Sequence, residues 1–101
     1  MKSKPKPRVR VTLSPTFRLL SELSGEPEVF ELSAANALEC LQIMLKQYPS
    51  MKKWTYDKEG LLVPLIWFFV NDPEWKRKLP PDEFERPLKD GDAVIIAFGK
   101  S

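Results

Sequence analysis

From the eighth position apolar and polar residues alternate, with Val9, Val11 and Leu13 on one side and Arg8, Arg10 and Thr12 on the other. A period of two marks a half-buried strand. Pro15 ends it, and Phe17, Leu20 and Leu23 then recur at a spacing that predicts a helical turn or compact loop capped by Gly25. Val29, Phe30 and Leu32 predict a second strand over Glu28 to Leu32. The period lengthens at Ala37, where Ala37, Cys40, Leu41, Met44 and Tyr48 form one helical stripe. Asn36 in the N-cap position and Pro49 just past the end predict a helix from Ala37 to Gln47. Leu38 and Leu45 widen its apolar face and Ile43 lies on the far flank, leaving Glu39, Gln42 and Lys46 as a narrow polar arc.

After a polar stretch in which Trp54 and Tyr56 pack down, the chain is apolar from Leu61 to Val70. Pro64 fits only an edge or the start of a strand, so the third strand is expected over Leu65 to Val70. Asn71-Asp72-Pro73 turns the chain, and Trp75 opens an irregular segment reaching Pro87. Asp90-Gly91-Asp92 supplies a tight structural turn, since Gly91 can take positive φ and both carboxylates can accept from nearby N–H groups. Ala93 to Phe98 is the last strand. This order predicts an α+β fold, a single domain over residues 8–101 behind a disordered basic arm at residues 1–7.

One sheet face packs the helix, and the other should be largely polar. With Val94, Ile96 and Phe98 turned to the helix beside Ile66, Phe68 and Val70, the open face carries Trp67, Phe69, Ile95 and Ala97, next to Arg8, Arg10 and Thr12. That set approaches the roughly 300–600 Å² of the largest apolar patch on a typical monomer. It is expected to bind a protein partner, with a second copy of the chain, or the loop from Trp75 to Pro87, as the other occupants.

Charge and chemistry narrow the function further. A net charge of +2 makes no global demand for nucleic acid or an anionic membrane. Lys2 to Arg8 and Lys76-Arg77-Lys78 are local basic clusters, read as solvated charge or, more boldly, as docking sites for acidic partners. The basic arm holds no interleaved aromatics, so RNA binding is not expected. The chain has no histidine and one cysteine, Cys40, which removes His-based catalysis, the usual zinc sets and an intramolecular disulfide. Cys40 sits within the helical stripe as a small core residue. Asp57, Glu59, Asp82, Glu83 and Glu85 read as loop solvation. No enzyme activity, cofactor or metal is expected. The N-terminus lacks an apolar signal core and the longest apolar run is too short to span a bilayer, so a cytoplasmic protein is expected.

In this order and spacing the residues resemble the β-grasp sulfur carriers and ubiquitin-related modifiers. Val9-Arg10-Val11 followed by Phe17, Leu20, Leu23 and Gly25 is similar to the opening of the MoaD and ThiS branch, and Ala37, Leu41, Met44 and Tyr48-Pro49 are similar to its helix and Tyr-Pro exit. Val70-Asn71-Asp72, Trp75 and the long loop before Leu88 look closer to the ubiquitin-related modifiers, while Leu88-Lys89-Asp90-Gly91-Asp92 fits every branch. The resemblance covers about residues 8–98. It implies a mixed four- to five-stranded sheet packed on one main helix, with the first and last strands parallel at the centre. It also implies a small carrier or modifier whose terminal glycine carboxylate is adenylated by a partner. That partner would be an activating adenylyltransferase, or the large subunit of a synthase. Molybdenum-cofactor synthesis, thiamin synthesis, tRNA thiolation and protein tagging all fit. Family tails end in Gly-Gly, from which Phe98-Gly99-Lys100-Ser101 departs, Gly99 being the only tail glycine. Activation at the C-terminus is therefore not carried over, and a non-covalent β-grasp module binding through the open face is the alternative.

Overall fold

A computed structural model describes residues 6–98 of the chain. The elements run β1 (Arg8–Leu13), α1 (Pro15–Leu20), β2 (Phe30–Ser33), α2 (Ala37–Gln47), α3 (Lys52–Thr55), β3 (Ile66–Val70) and β4 (Ala93–Phe98), with single 3-10 turns at Pro49–Met51 and Pro81–Glu83. The strands form one four-stranded sheet in the order β2-β1-β4-β3. β1 and β4 pair in parallel at its centre, Val11 opposite Val94 and Leu13 opposite Ile96, and the outer pairs are antiparallel. Parallel neighbours need a long crossover. Everything from α1 to β3 supplies it here.

The helix lies where its sequence placed it. Asn36 takes an extended conformation and its side chain accepts from the Glu39 N–H at 2.8 Å, satisfying one of the donors that a helix start leaves without an internal partner. Glu39 reaches back to the Ala35 N–H at 2.6 Å. Ala37, Cys40, Leu41, Met44 and Leu45 are buried against the sheet face formed by Val9, Val11, Val94, Ile96, Ile66 and Phe68. Phe17, Met51 and Thr55 complete the core from α1 and the short turns after α2. α1 begins at once after β1 because Ser14 caps it, accepting from Phe17 N–H at 3.2 Å, and Pro15 occupies the first turn, where its missing N–H costs nothing.

Two strands start later than expected. β2 covers Phe30–Ser33 instead of Glu28 to Leu32, and Val29 is left exposed. The Arg18 guanidinium holds the carbonyls of Pro27 and Glu26 at 2.7 and 2.9 Å, so this stretch is pinned as a loop and straightens only at Phe30. β3 begins at Ile66, with Leu65 exposed before it. Of the basic arm expected at residues 1–7, Met1 to Pro5 lie outside the described residues. Lys6 pairs with Glu39 at 2.6 Å, and the Pro7 carbonyl accepts from the Ala34 N–H at 3.1 Å. Among the described residues no helix is long and apolar enough to cross a membrane.

Candidate interaction site

The face of the sheet away from α2 follows from the strand register. Trp67 stands opposite Ala97 and Phe69 opposite Ile95 across β3 and β4, while Thr12 lies beside Ile95 and Arg10 beside Ala93 across β1 and β4. Arg8 and Arg10 are exposed, Thr12, Trp67 and Ile95 half-buried. The expected set is therefore assembled on one face.

It is not bare. Phe69 and Ala97 were expected to be exposed there and are only 2% and 1% accessible. The loop after β3 folds back over Phe69, and Ala97 lies beside Trp67 across the strands. Trp75 stacks on Phe69 at 5.6 Å between ring centroids, and Lys78 Nζ sits 4.4 Å above the Trp67 ring. Leu79 then donates to the Phe68 carbonyl at 2.8 Å, fastening the returning chain along the edge of β3. Intramolecular cover thus claims part of the patch, and what stays accessible is Trp67, Ile95, Arg8, Arg10 and the outer face of Trp75. The loop from Trp75 to Pro87 was one of the occupants expected for this face, but Trp75 and Lys78 were not singled out as the residues that would meet Phe69 and Trp67. Their signal in the sequence is the Asn71-Asp72-Pro73 turn, which reverses the chain just before them. Asp72 sustains the reversal by accepting from the N–H of Arg77 at 2.7 Å.

At the lower end of the sheet the turn residues behave as expected. Asp90 Oδ1 accepts from the Arg8 N–H at 2.8 Å, and Gly91, at φ 86°, donates to the Arg8 carbonyl at 2.8 Å. Asp92 accepts from the Lys89 N–H and from the Asn71 side chain at 2.8 and 3.0 Å, while Asn71 accepts from the Ala93 N–H at 2.9 Å. These contacts fix where β4 enters the sheet.

Where β4 leaves, Phe98 is gripped. Its N–H reaches the Ser14 hydroxyl at 3.3 Å, and its ring contacts Phe17 at 6.1 Å and Trp54 at 6.3 Å between centroids. Trp54 is itself fixed by its indole N–H to the Leu20 carbonyl at 2.8 Å. Gly99, Lys100 and Ser101 lie outside the described residues.

Cys40 is wholly buried, and burial, followed by the neighbouring Glu39 charge, pushes its thiol up to about 12. Among the described residues no group of three His, Cys, Asp or Glu side chains could hold a metal ion.

No protein-family model matches the chain, and no curated protein matches its sequence. Solved structures match it in shape. The small archaeal modifier protein 1 of Methanosarcina acetivorans superposes with a TM-score of 0.74 at 20% identity, covering 98% of each chain. A putative molybdopterin converting factor, subunit 1, from Pyrococcus furiosus gives 0.59 at 20% identity, covering 91% of this chain and 97% of its own. A chain of the Amycolatopsis orientalis BexX/CysO complex gives 0.62 at 21% identity, covering 92% and 97%. The strand order, the parallel central pair and the helix across one face are thus those of the β-grasp, ubiquitin-like fold, and this chain has that fold.

Proposed function

We propose that the chain is a small carrier or modifier of the MoaD and ThiS kind, which acts by docking on a protein partner and is not itself an enzyme. The observation that carries this reading is the mounting of β4. The strand lies at the centre of the sheet and its last residue, Phe98, is held by Ser14, Phe17 and Trp54, so whatever follows departs from a rigid base. Trp67, Ile95, Arg8 and Arg10 supply the docking surface on the open face, an apolar strip with a basic margin. The partner is an adenylyltransferase of the ubiquitin-activating type or the large subunit of a synthase. In the first case a terminal glycine carboxylate, as on the Gly-Gly tails of the family, attacks the α-phosphorus of ATP and pyrophosphate leaves. A sulfur nucleophile or an acceptor amine then takes the acyl group, and AMP leaves.

The test is incubation with ATP, magnesium and such an adenylyltransferase, followed by intact mass measurement. Both the chain as it stands and a form extended by Gly-Gly are used. An adenylate or thiocarboxylate on either form, weakened by Trp67→Ala and Arg10→Glu, is the expected result. Partner binding at the open face with no acyl product on either form would favour the non-covalent module. Neither binding nor product would overturn both.

A further inference from the structure

A groove of about 920 Å³ lies at the end of the sheet where β3 leaves and β4 enters, within the roughly 300–1,000 Å³ of ordinary ligand clefts. It lies between the loop after β3 and the segment that leads into β4, at the start of α2. Val70, Leu79 and Leu88 form its half-buried apolar floor, and Pro80, Pro81 and Pro87 its walls. Proline offers no N–H, so the walls present few donors. No aromatic ring lines the groove, which leaves nothing for a nucleobase to stack on. The single buried side-chain polar atom without a partner among the described residues is the Ser21 hydroxyl, which does not line it, so no buried polar group waits there to orient a small molecule.

The rim is cationic. Lys76, Arg77, Lys78, Arg86 and Lys89 border the groove against Asp72, Glu83 and Asp92, an excess of two positive charges from five against three. The acids are engaged within the fold: Asp72 accepts from the Arg77 N–H, Asp92 from the Lys89 N–H, and Glu83 pairs with Arg86 at 3.0 Å. Lys76 pairs with Glu74, and Lys78 covers Trp67. Arg77 and Lys89 remain as rim cations with no side-chain ion pair among the described residues.

We infer that this groove is a second docking site and that its occupant is an extended acidic peptide segment of a partner protein, with apolar side chains between its carboxylates. The apolar side chains fill the floor and the carboxylates meet Arg77 and Lys89. The site goes beyond the docking surface proposed above. It sits at the Ala93 end of β4, about 17 Å along the strand from Phe98 at about 3.4 Å per residue. A partner segment held there leaves the exit of β4 open.

The probe is fluorescein-labelled Asp-Glu-Leu-Asp-Glu-Val-Asp-Glu-Leu, titrated against the whole chain by fluorescence polarisation and by amide chemical shifts. Saturable binding that weakens with added salt is expected, with the largest shifts at Val70, Leu79 and Leu88. Arg77→Glu with Lys89→Glu should weaken it at least about tenfold. The milder Arg77→Gln with Lys89→Gln should lose less in the same direction, which separates charge from any damage to the fold. Absence of saturable binding would overturn the inference. So would affinity unchanged by charge reversal, equal binding of a peptide with serine at the apolar positions, or an oligothymidylate producing the same shifts. Shifts confined to Trp67 and Ile95 would also overturn it while leaving the open-face reading intact.

Discussion

Trp75 lies flat on Phe69, with ring centroids 5.6 Å apart and planes 26° from parallel, and it does so from a left-handed backbone at φ 57°. A residue with a Cβ adopts that conformation at a cost of about 1–2 kcal/mol, so the stacking must offset a local penalty. Trp75→Ala loses the ring and keeps the penalty. Trp75→Gly loses the ring and sheds it. Both variants should be less stable than the parent in urea unfolding, with the glycine form the more stable of the two by about 0.5–1 kcal/mol. Equal midpoints would show that the backbone relaxes once the ring is gone.

Neighbouring aromatics on the same strand face should respond very differently. Phe69 is 2% accessible under Trp75, so Phe69→Ala should lower stability by about 3–5 kcal/mol, as for a core phenylalanine. Trp67 is half-buried and should lose roughly 1–2 kcal/mol on truncation. Thermal or denaturant unfolding of the two variants separates them. Similar small losses would return Phe69 to the docking surface.

Glu39 should make a recognisable contribution to acid sensitivity. The hydrogen bond from Lys6 and then that from the Ala35 N–H hold its carboxyl below the ordinary value. A carboxyl depressed in the folded state stabilises the fold fully above its unfolded value of about 4.3, and this contribution fades as pH falls through the folded value. Glu39→Gln should therefore flatten the fall in thermal midpoint below about pH 4, with the parent the steeper. Identical acid limbs in both proteins would show that neither the Lys6 nor the Ala35 contact to Glu39 is maintained in solution.

Cys40 should be chemically silent until the fold opens. With its thiol at about 12, the thiolate is scarce near neutrality, and the sulfur is enclosed in the core as well. Iodoacetamide at about pH 8 should leave the native chain unlabelled and label it quickly in denaturant, read by intact mass. Fast native labelling would mean that α2 detaches from the sheet.

Much of this architecture was legible because each cue was local. The alternation around Val9, Val11 and Leu13 fixed which side of β1 is inward, and Asn36 with Pro49 bounded α2. Asp90-Gly91-Asp92 announced the entry to β4. The parts that could not be read depend on side chains meeting across loops. Nothing within Glu28 and Val29 says that Arg18 will grip the carbonyls before them and delay β2. Likewise, the alternation of β3 correctly put Phe69 on the face away from α2, but exposure depended on where Trp75 would come to rest. The basic run at Lys76 to Lys78 was visible as charge; the floor of Val70, Leu79 and Leu88 beneath it exists only after the chain has doubled back.

The adjacency of β1 and β4 also sets a timetable for synthesis. Val11 cannot find Val94 until everything between them has left the ribosome, so β1 and β3 must wait until then for the strand that joins them. Such a molecule is born late and all at once, and its yield in a cell should depend on chaperones that shield nascent chains.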